Sequence, residues 1–334
     1  MHDLIEREYG LKVERMEQLS RYYTFISRNE RYIIVPAWNR TEAEMNELQQ
    51  MGAYLAAKGD LSVASFVQTK KGTWIAVDQG GQHFTILRIY PHLYRRTIPI
   101  GKELAKLHER GRLFPARVFH SKRIGLWKEL WGQRVDQMDS FWKEKLKMKR
   151  ETEFEQLFVE SFPYYAGLAE NAIQYVVDTE LDEQPYGVDA ATICHERLSR
   201  TLWAEGTEIK LPTDWVYDHC ARDLAEWVRS IYLKDGWLEE PINHFFREYE
   251  RVTPLSAFAW RLVYARLLFP IHYFECIEGY YSTKIEEEKR SYEQRLKVML
   301  ENTHDYERFL ASFYDQFGLS RRFRLPRVKW LREA

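Results

Sequence analysis

TICHERLSRTLWAEGTEIKLPTDWVYDHCARD, residues 192–223, decides how this 334-residue chain is read. A short apolar run ends in His195, and Arg197 follows two residues on. A second apolar-bounded turn leads to Asp214, and Asp223 opens the helical pattern ARDLAEW. Polar side chains at the ends of short apolar runs sit where a rigid scaffold presents site residues. The stretch therefore reads as a short apolar run, a polar loop, a second apolar-bounded turn and a helix start, with His195, Arg197, Asp214 and Asp223 as the residues to follow.

Working outward, residues 1–90 alternate short β-like runs with one helix. Tyr22–Ser27 and Arg31–Ala37 flank the polar turn Arg28-Asn29-Glu30, a hairpin signal. Thr41 with Glu44 forms a capping box for a helix over Glu42–Lys58, which Gly59 ends. Val63–Gln68, Thr73–Val77 and His83–Ile89 read as three more strands, giving β-β-α-β-β-β. Pro91–Pro99 is the expected hinge.

From residue 100 helical periodicity takes over. Helices are expected over Gly101–Arg110, with Gly111 as terminator, and over Trp127–Lys149, Val159–Asp178 and Asp223–Leu233. Another opens at Thr253-Pro254, and a long one covers Lys284–Phe317. The organisation expected is a β-rich lobe at 1–90, a hinge at 91–99 and a helical lobe at 100–334.

Composition narrows the class. Lys+Arg total 49 against Asp+Glu 50, so the chain carries no global basic field for nucleic acid. Two segments are locally basic, Lys143–Arg150 and Arg321–Arg332; in the second, Phe323, Leu325, Val328 and Trp330 alternate with the charges, a pattern for docking. Aromatic residues make up 15% of the chain, which points to a ring-rich helical core. Three cysteines, an odd count, argue against a disulfide framework and for a reducing compartment. The start MHDLIEREYG has no apolar signal region, and Leu255–Tyr281 is interrupted by charges, so neither a signal peptide nor a membrane span is expected.

A small β-rich lobe followed by a helical one is the order of a kinase-like protein. Phosphoryl transfer needs a phosphate-covering glycine loop, a lysine on the third strand, a base and oxygen ligands for Mg²⁺. The window Gly10–Arg21 holds one glycine, Gly10, and the strand around Val35-Pro36 holds no lysine. Glu44 and Glu47 remain as helix glutamates, expected to be solvated without that lysine. Arg197 stands where an acid would accept the hydroxyl proton, and arginine stays protonated at cellular pH. The second metal ligand falls on Leu202 or Thr201, and Asp214 is left as the one metal-binding acid. Arg197 and Arg200 form a candidate site for a phosphorylated ligand. Alternatively, Arg197 pairs with Asp214, Asp218 or Glu196. Cys194-His195 and His219-Cys220 raise the thought of zinc, but the spacing of structural zinc ligands is missing.

The segments ICHERLSRTLW (193–203) and DWVYDHCARDLAEWVR (214–229) resemble the kinase-like spore coat protein family of endospore-forming bacteria, the CotS-type group. ELAKLHERG (103–111) and the Trp-rich FHSKRIGLWKELWGQRVDQMDSFW (119–142) extend the likeness over essentially the whole chain. The resemblance implies an α+β, bilobal, aminoglycoside phosphotransferase- or choline kinase-like fold. It implies association with other spore coat proteins, first in the mother-cell cytoplasm and then in the coat. By it, His195 matches the histidine of an H-x-D motif, Arg197 its aspartate, Asp214 the metal-binding aspartate and Asp223 a structural aspartate. The expectation is a catalytically inactive, kinase-like coat component with no cofactor. The alternatives are an active phosphotransferase using ATP and Mg²⁺, and a non-catalytic binder of a phosphorylated small molecule.

Overall fold

A computed structural model describes the chain except residues 39, 91–98, 150–151, 237–238, 324 and 333–334 and the side chains of 235, 239, 320 and 332. Most of the expected hinge at 91–99 therefore lies outside the described residues. In chain order the first elements are α1 (His2–Tyr9), β1 (Arg15–Leu19), β2 (Tyr22–Ser27), β3 (Glu30–Pro36), α2 (Glu42–Ala57), β4 (Ser65–Val67), β5 (Ala76–Val77) and β6 (His83–Ile89). There follow α3 (Ile100–Arg112), α4 (Trp127–Lys147), α5 (Glu153–Asp182), β7 (Thr192–His195), β8 (Trp215–Asp218), α6 (Ala221–Asp235) and α7 (Glu239–Glu250). Last come α8 (Ala257–Leu268), α9 (Ile271–Ser282), α10 (Glu286–Glu301), α11 (Thr303–Gln316) and the short α12 (Leu319–Arg322).

The chain clusters into two compact units, residues 1–124 with 190–227 and 244–254, and residues 125–189 with 228–243 and 255–334. In the first, an antiparallel sheet runs β1-β2-β3-β6-β4, with β5 also on β6. The β2–β3 hairpin turns through Arg28 and Asn29, both at positive φ, the geometry that matches strand twist. Side chains alternate between the two faces. One face packs Phe25, Tyr32, Ile34 and Ile86 against Leu4 and Ile5 of α1. The other carries Tyr22, Ile33, Val35, Leu87 and Ile89. The sequence placed nothing before Tyr22, because RMEQL in β1 is polar and only half-buried along an edge.

The N-terminus of α2 is as expected, with Thr41 Oγ1 accepting from the Glu44 N–H at 3.2 Å. Gly111 is a different matter. The helix α3 runs through it to Arg112, and a Cβ at Gly111 would meet Thr192 Oγ1 at 2.4 Å and the Ile193 nitrogen at 2.6 Å. It permits close approach of α3 to β7 and does not end the helix.

The second unit is helical and ring-rich. α5 contains Pro163, which cannot bond the Val159 carbonyl, and Trp142 Nε1 of α4 donates to that oxygen at 2.9 Å. α8 is buried on nearly every side, its N-terminus capped by Ser256. The helix expected over Lys284–Phe317 is two, α10 and α11, meeting at Asn302. The basic C-terminal segment docks: Tyr175 donates to the Pro326 carbonyl at 2.6 Å, Arg327 pairs with Asp315 and Leu331 is buried. Among the described residues no helix is long and apolar enough to cross a membrane.

Candidate functional site

The site is built on the β7–β8 pair, in which His195 lies opposite Trp215 and Thr192 opposite Asp218. Every β7 residue is buried. Asp223, in the first turn of α6, reaches back to this strand and accepts from the His195 N–H at 2.9 Å and from His195 Nδ1 at 2.8 Å. His108 of α3 meets the same carboxylate through Nε2 at 3.2 Å and the Tyr249 hydroxyl through Nδ1 at 2.8 Å. Burial alone would push the Asp223 carboxyl up, but His195 and His108 hold it well below the usual carboxylate range. Burial pushes His108 down to about 4, against the pull of Asp223.

His108, Cys194 and Asp223 place ligand-type atoms within 4.8 Å of one another. Their lone pairs and protons are nonetheless committed to each other. The Cys194 thiol points at the carbonyls of Asp218 (3.6 Å) and His219 (3.4 Å), and burial pushes it well above its ordinary pKa. The adjacent pairs at 194–195 and 219–220 are likewise hydrogen-bonded in the interior, with His219 Nδ1 accepting from the Ala221 N–H at 3.1 Å.

Asp214 closes a 3-10 turn just before β8. Its Oδ2 is buried without a hydrogen-bond partner, and burial raises its pKa to about 6 despite the opposing charges of His195, Arg21 and Arg40. Arg40 is the residue that sequence reasoning missed. It stands just before the Thr41 cap, and its guanidinium closes on Glu44, donates to Glu196 Oε2 at 2.8 Å and reaches the Thr213 carbonyl at 3.2 Å. The signal available in sequence was the i, i+4 spacing of Arg40 and Glu44 at a helix start. Glu44 is thus buried and paired rather than solvated. Glu47 is also buried, and accepts from the N–H groups of Phe119, His120 and Ser121, which hold its carboxyl below the usual range against the effect of burial.

Arg197 lies on the loop after His195 and donates to the Glu196 main-chain carbonyl at 3.1 Å. Two of the three acids considered as its partners are engaged by other arginines as well: Glu196 by Arg40 and Asp218 by Arg222, the latter at 2.5 Å. Arg200 is exposed, joined to Arg197 through a main-chain bond within one 3-10 turn. Thr201 and Leu202 are both buried, Leu202 among apolar side chains. Mg²⁺ needs several oxygen ligands in near-octahedral geometry. One carboxylate beside the charges of Arg21 and Arg40, with Thr201 and Leu202 both buried, does not fit that ion.

The antiparallel N-terminal sheet and the helical C-terminal part place the chain in a class, the aminoglycoside phosphotransferase-like fold. An aminoglycoside phosphotransferase from Alicyclobacillus acidocaldarius matches with a TM-score of 0.68 over 95% of this chain and 96% of its own, at 16% identity. A spectinomycin phosphotransferase matches at 0.59 over 94% and 97%, at 13% identity. At these identities the likeness is one of fold. Within that fold the chain belongs to the family described as "Spore coat putative kinase YutH", whose model matches residues 2–313. It is 40% identical over 336 residues to the endospore coat-associated protein YutH of Bacillus subtilis (strain 168), covering 98% of this chain and 97% of that relative.

Proposed function

We propose that this kinase-like member of a spore coat family is catalytically inactive and acts as a structural component of the coat, bound to other coat proteins. The observation that carries the reading is Arg197. By the resemblance to an H-x-D motif it stands where a carboxylate would take the substrate proton, and a guanidinium cannot accept one. The changes around it point the same way: the β1–β2 turn is two residues long, Val35 rather than a lysine faces inward on β3, and Glu44 is paired with Arg40. The route through the mother-cell cytoplasm to the coat is part of this proposal, motivated by the coat-associated relative.

An active phosphotransferase is the second reading, favoured by the retained, unpartnered Asp214 oxygen. A replacement experiment in sporulating cells separates the two. The Asp214→Ala protein should be incorporated into the coat and support spore properties as the unaltered chain does. A folded Asp214→Ala protein that fails to complement would contradict the scaffold role.

A further inference from the structure

In a kinase-like fold the phosphate-covering loop joins the first two strands and the phosphate-pairing lysine projects from the third, so nucleotide lies under that face of the sheet. Here the corresponding face, bearing Ile33 and Val35, is covered by the chain itself. Leu202, Ile209 and Leu211, each no more than 8% exposed, pack against it in one buried cluster. The loop that delivers them is fastened by main-chain bonds, Ala64 N–H to the Lys210 carbonyl at 2.9 Å and Lys210 N–H to the Ser62 carbonyl at 3.0 Å. The Lys210 ammonium is buried against Asp60 at 2.6 Å and lies 5.0 Å from the centre of the Trp203 ring, which packs on His195.

The charges follow the same plan. Arg21, at the tip of the β1–β2 turn, donates to the Tyr22 hydroxyl at 2.7 Å and adds its positive charge to that of Arg40 near Asp214. These are the places where a phosphate-covering loop and a divalent cation would otherwise be needed.

We propose that residues 198–211, together with Arg21 and Arg40, are a built-in occupant of the nucleotide site. The apolar side chains take the place of a base, and the guanidinium groups supply the charge of a metal. The sheet and the His195 loop are thereby held together without ligand. This inference deepens the proposed function and rests on the same site, but it concerns binding rather than turnover.

The test uses the full chain. Thermal unfolding is followed with millimolar ATP, with and without Mg²⁺, and hydrogen exchange is read at Ala64 and Lys210. The expected result is no change in Tm with either addition, and protection of both amides by about 100-fold or more, comparable to β3. A saturable, Mg²⁺-dependent rise in Tm of several degrees without phosphate transfer would overturn the occupant and leave the non-catalytic reading intact. The same rise accompanied by transfer would overturn both. Rapid exchange at Ala64 and Lys210 would also overturn the occupant, because it would show the loop opening freely.

Discussion

Asp223 binds His195 twice, through the main-chain N–H and through Nδ1, and so fixes the end of β7 and the ring of its last residue with one carboxylate. Removing that carboxylate strands two buried donors on His195 and one on His108. Asp223→Ala should cost on the order of 3–5 kcal/mol in urea unfolding at pH 7. The sign with pH follows from the two shifts. Asp223 is depressed, so its contribution is present above about pH 4 and lost as pH falls through and below that value. His108, at about 4 when folded and about 6.5 when unfolded, also costs stability as pH falls between those values. A cost of Asp223→Ala under about 1 kcal/mol at pH 7 would contradict the anchoring role.

Asp214 behaves in the opposite sense. Its folded pKa of about 6 lies above the unfolded value, so the native state holds the extra proton between about pH 4 and pH 6. Stability is therefore lost as pH rises through that window, and ionisation burdens the fold at neutral pH. Asp214→Asn should stabilise by roughly 1–3 kcal/mol at pH 7.5 and by nothing measurable at pH 4. Differential scanning calorimetry at the two pH values reads both halves of the prediction.

Gly111→Ala should be destabilising although it improves helix propensity. The added methyl would collide with the main chain of Ile193 as well as the Thr192 hydroxyl, and the main chain cannot rotate away. A loss of about 1–3 kcal/mol is expected. Gly132→Ala, at a half-buried position of α4 with nothing within 4 Å, serves as the control and should be neutral or slightly stabilising.

The buried Lys210–Asp60 pair should show strong coupling. Lys210→Met leaves Asp60 charged and buried, held only by Ser62 and, at 3.6 Å, by Arg110. The single change should cost about 3 kcal/mol or more, and adding Asp60→Leu should recover much of it. A double-mutant cycle with no interaction energy would show that the bridge does not hold the loop.

How far the sequence carried depended on where each signal lives. β2, β3, β6 and α2 were legible because alternation, a polar turn and a side-chain cap are local. His195 ends a local apolar run, whereas its bond to Asp223 spans 28 positions and belongs to the fold. α1 and β1 escaped because their charges hide a half-buried pattern, and the α10–α11 junction escaped because apolar spacing continues across Asn302. The Arg40–Glu196 pair was invisible for a different reason. Its members stand 156 positions apart, and nothing local to either residue announces the pair. Leu202, Ile209 and Leu211 sit among Thr, Glu and Gly residues that read as loop, and only the fold lays them against the sheet.

The most direct measurement of the central claim is transfer of the γ-phosphate from labelled ATP with Mg²⁺ to a panel of small amines, alcohols and coat protein extracts, for the unaltered chain and for Asp214→Ala. No transfer above the background of the variant is expected for any acceptor. Turnover by the unaltered chain that Asp214→Ala abolishes would contradict it.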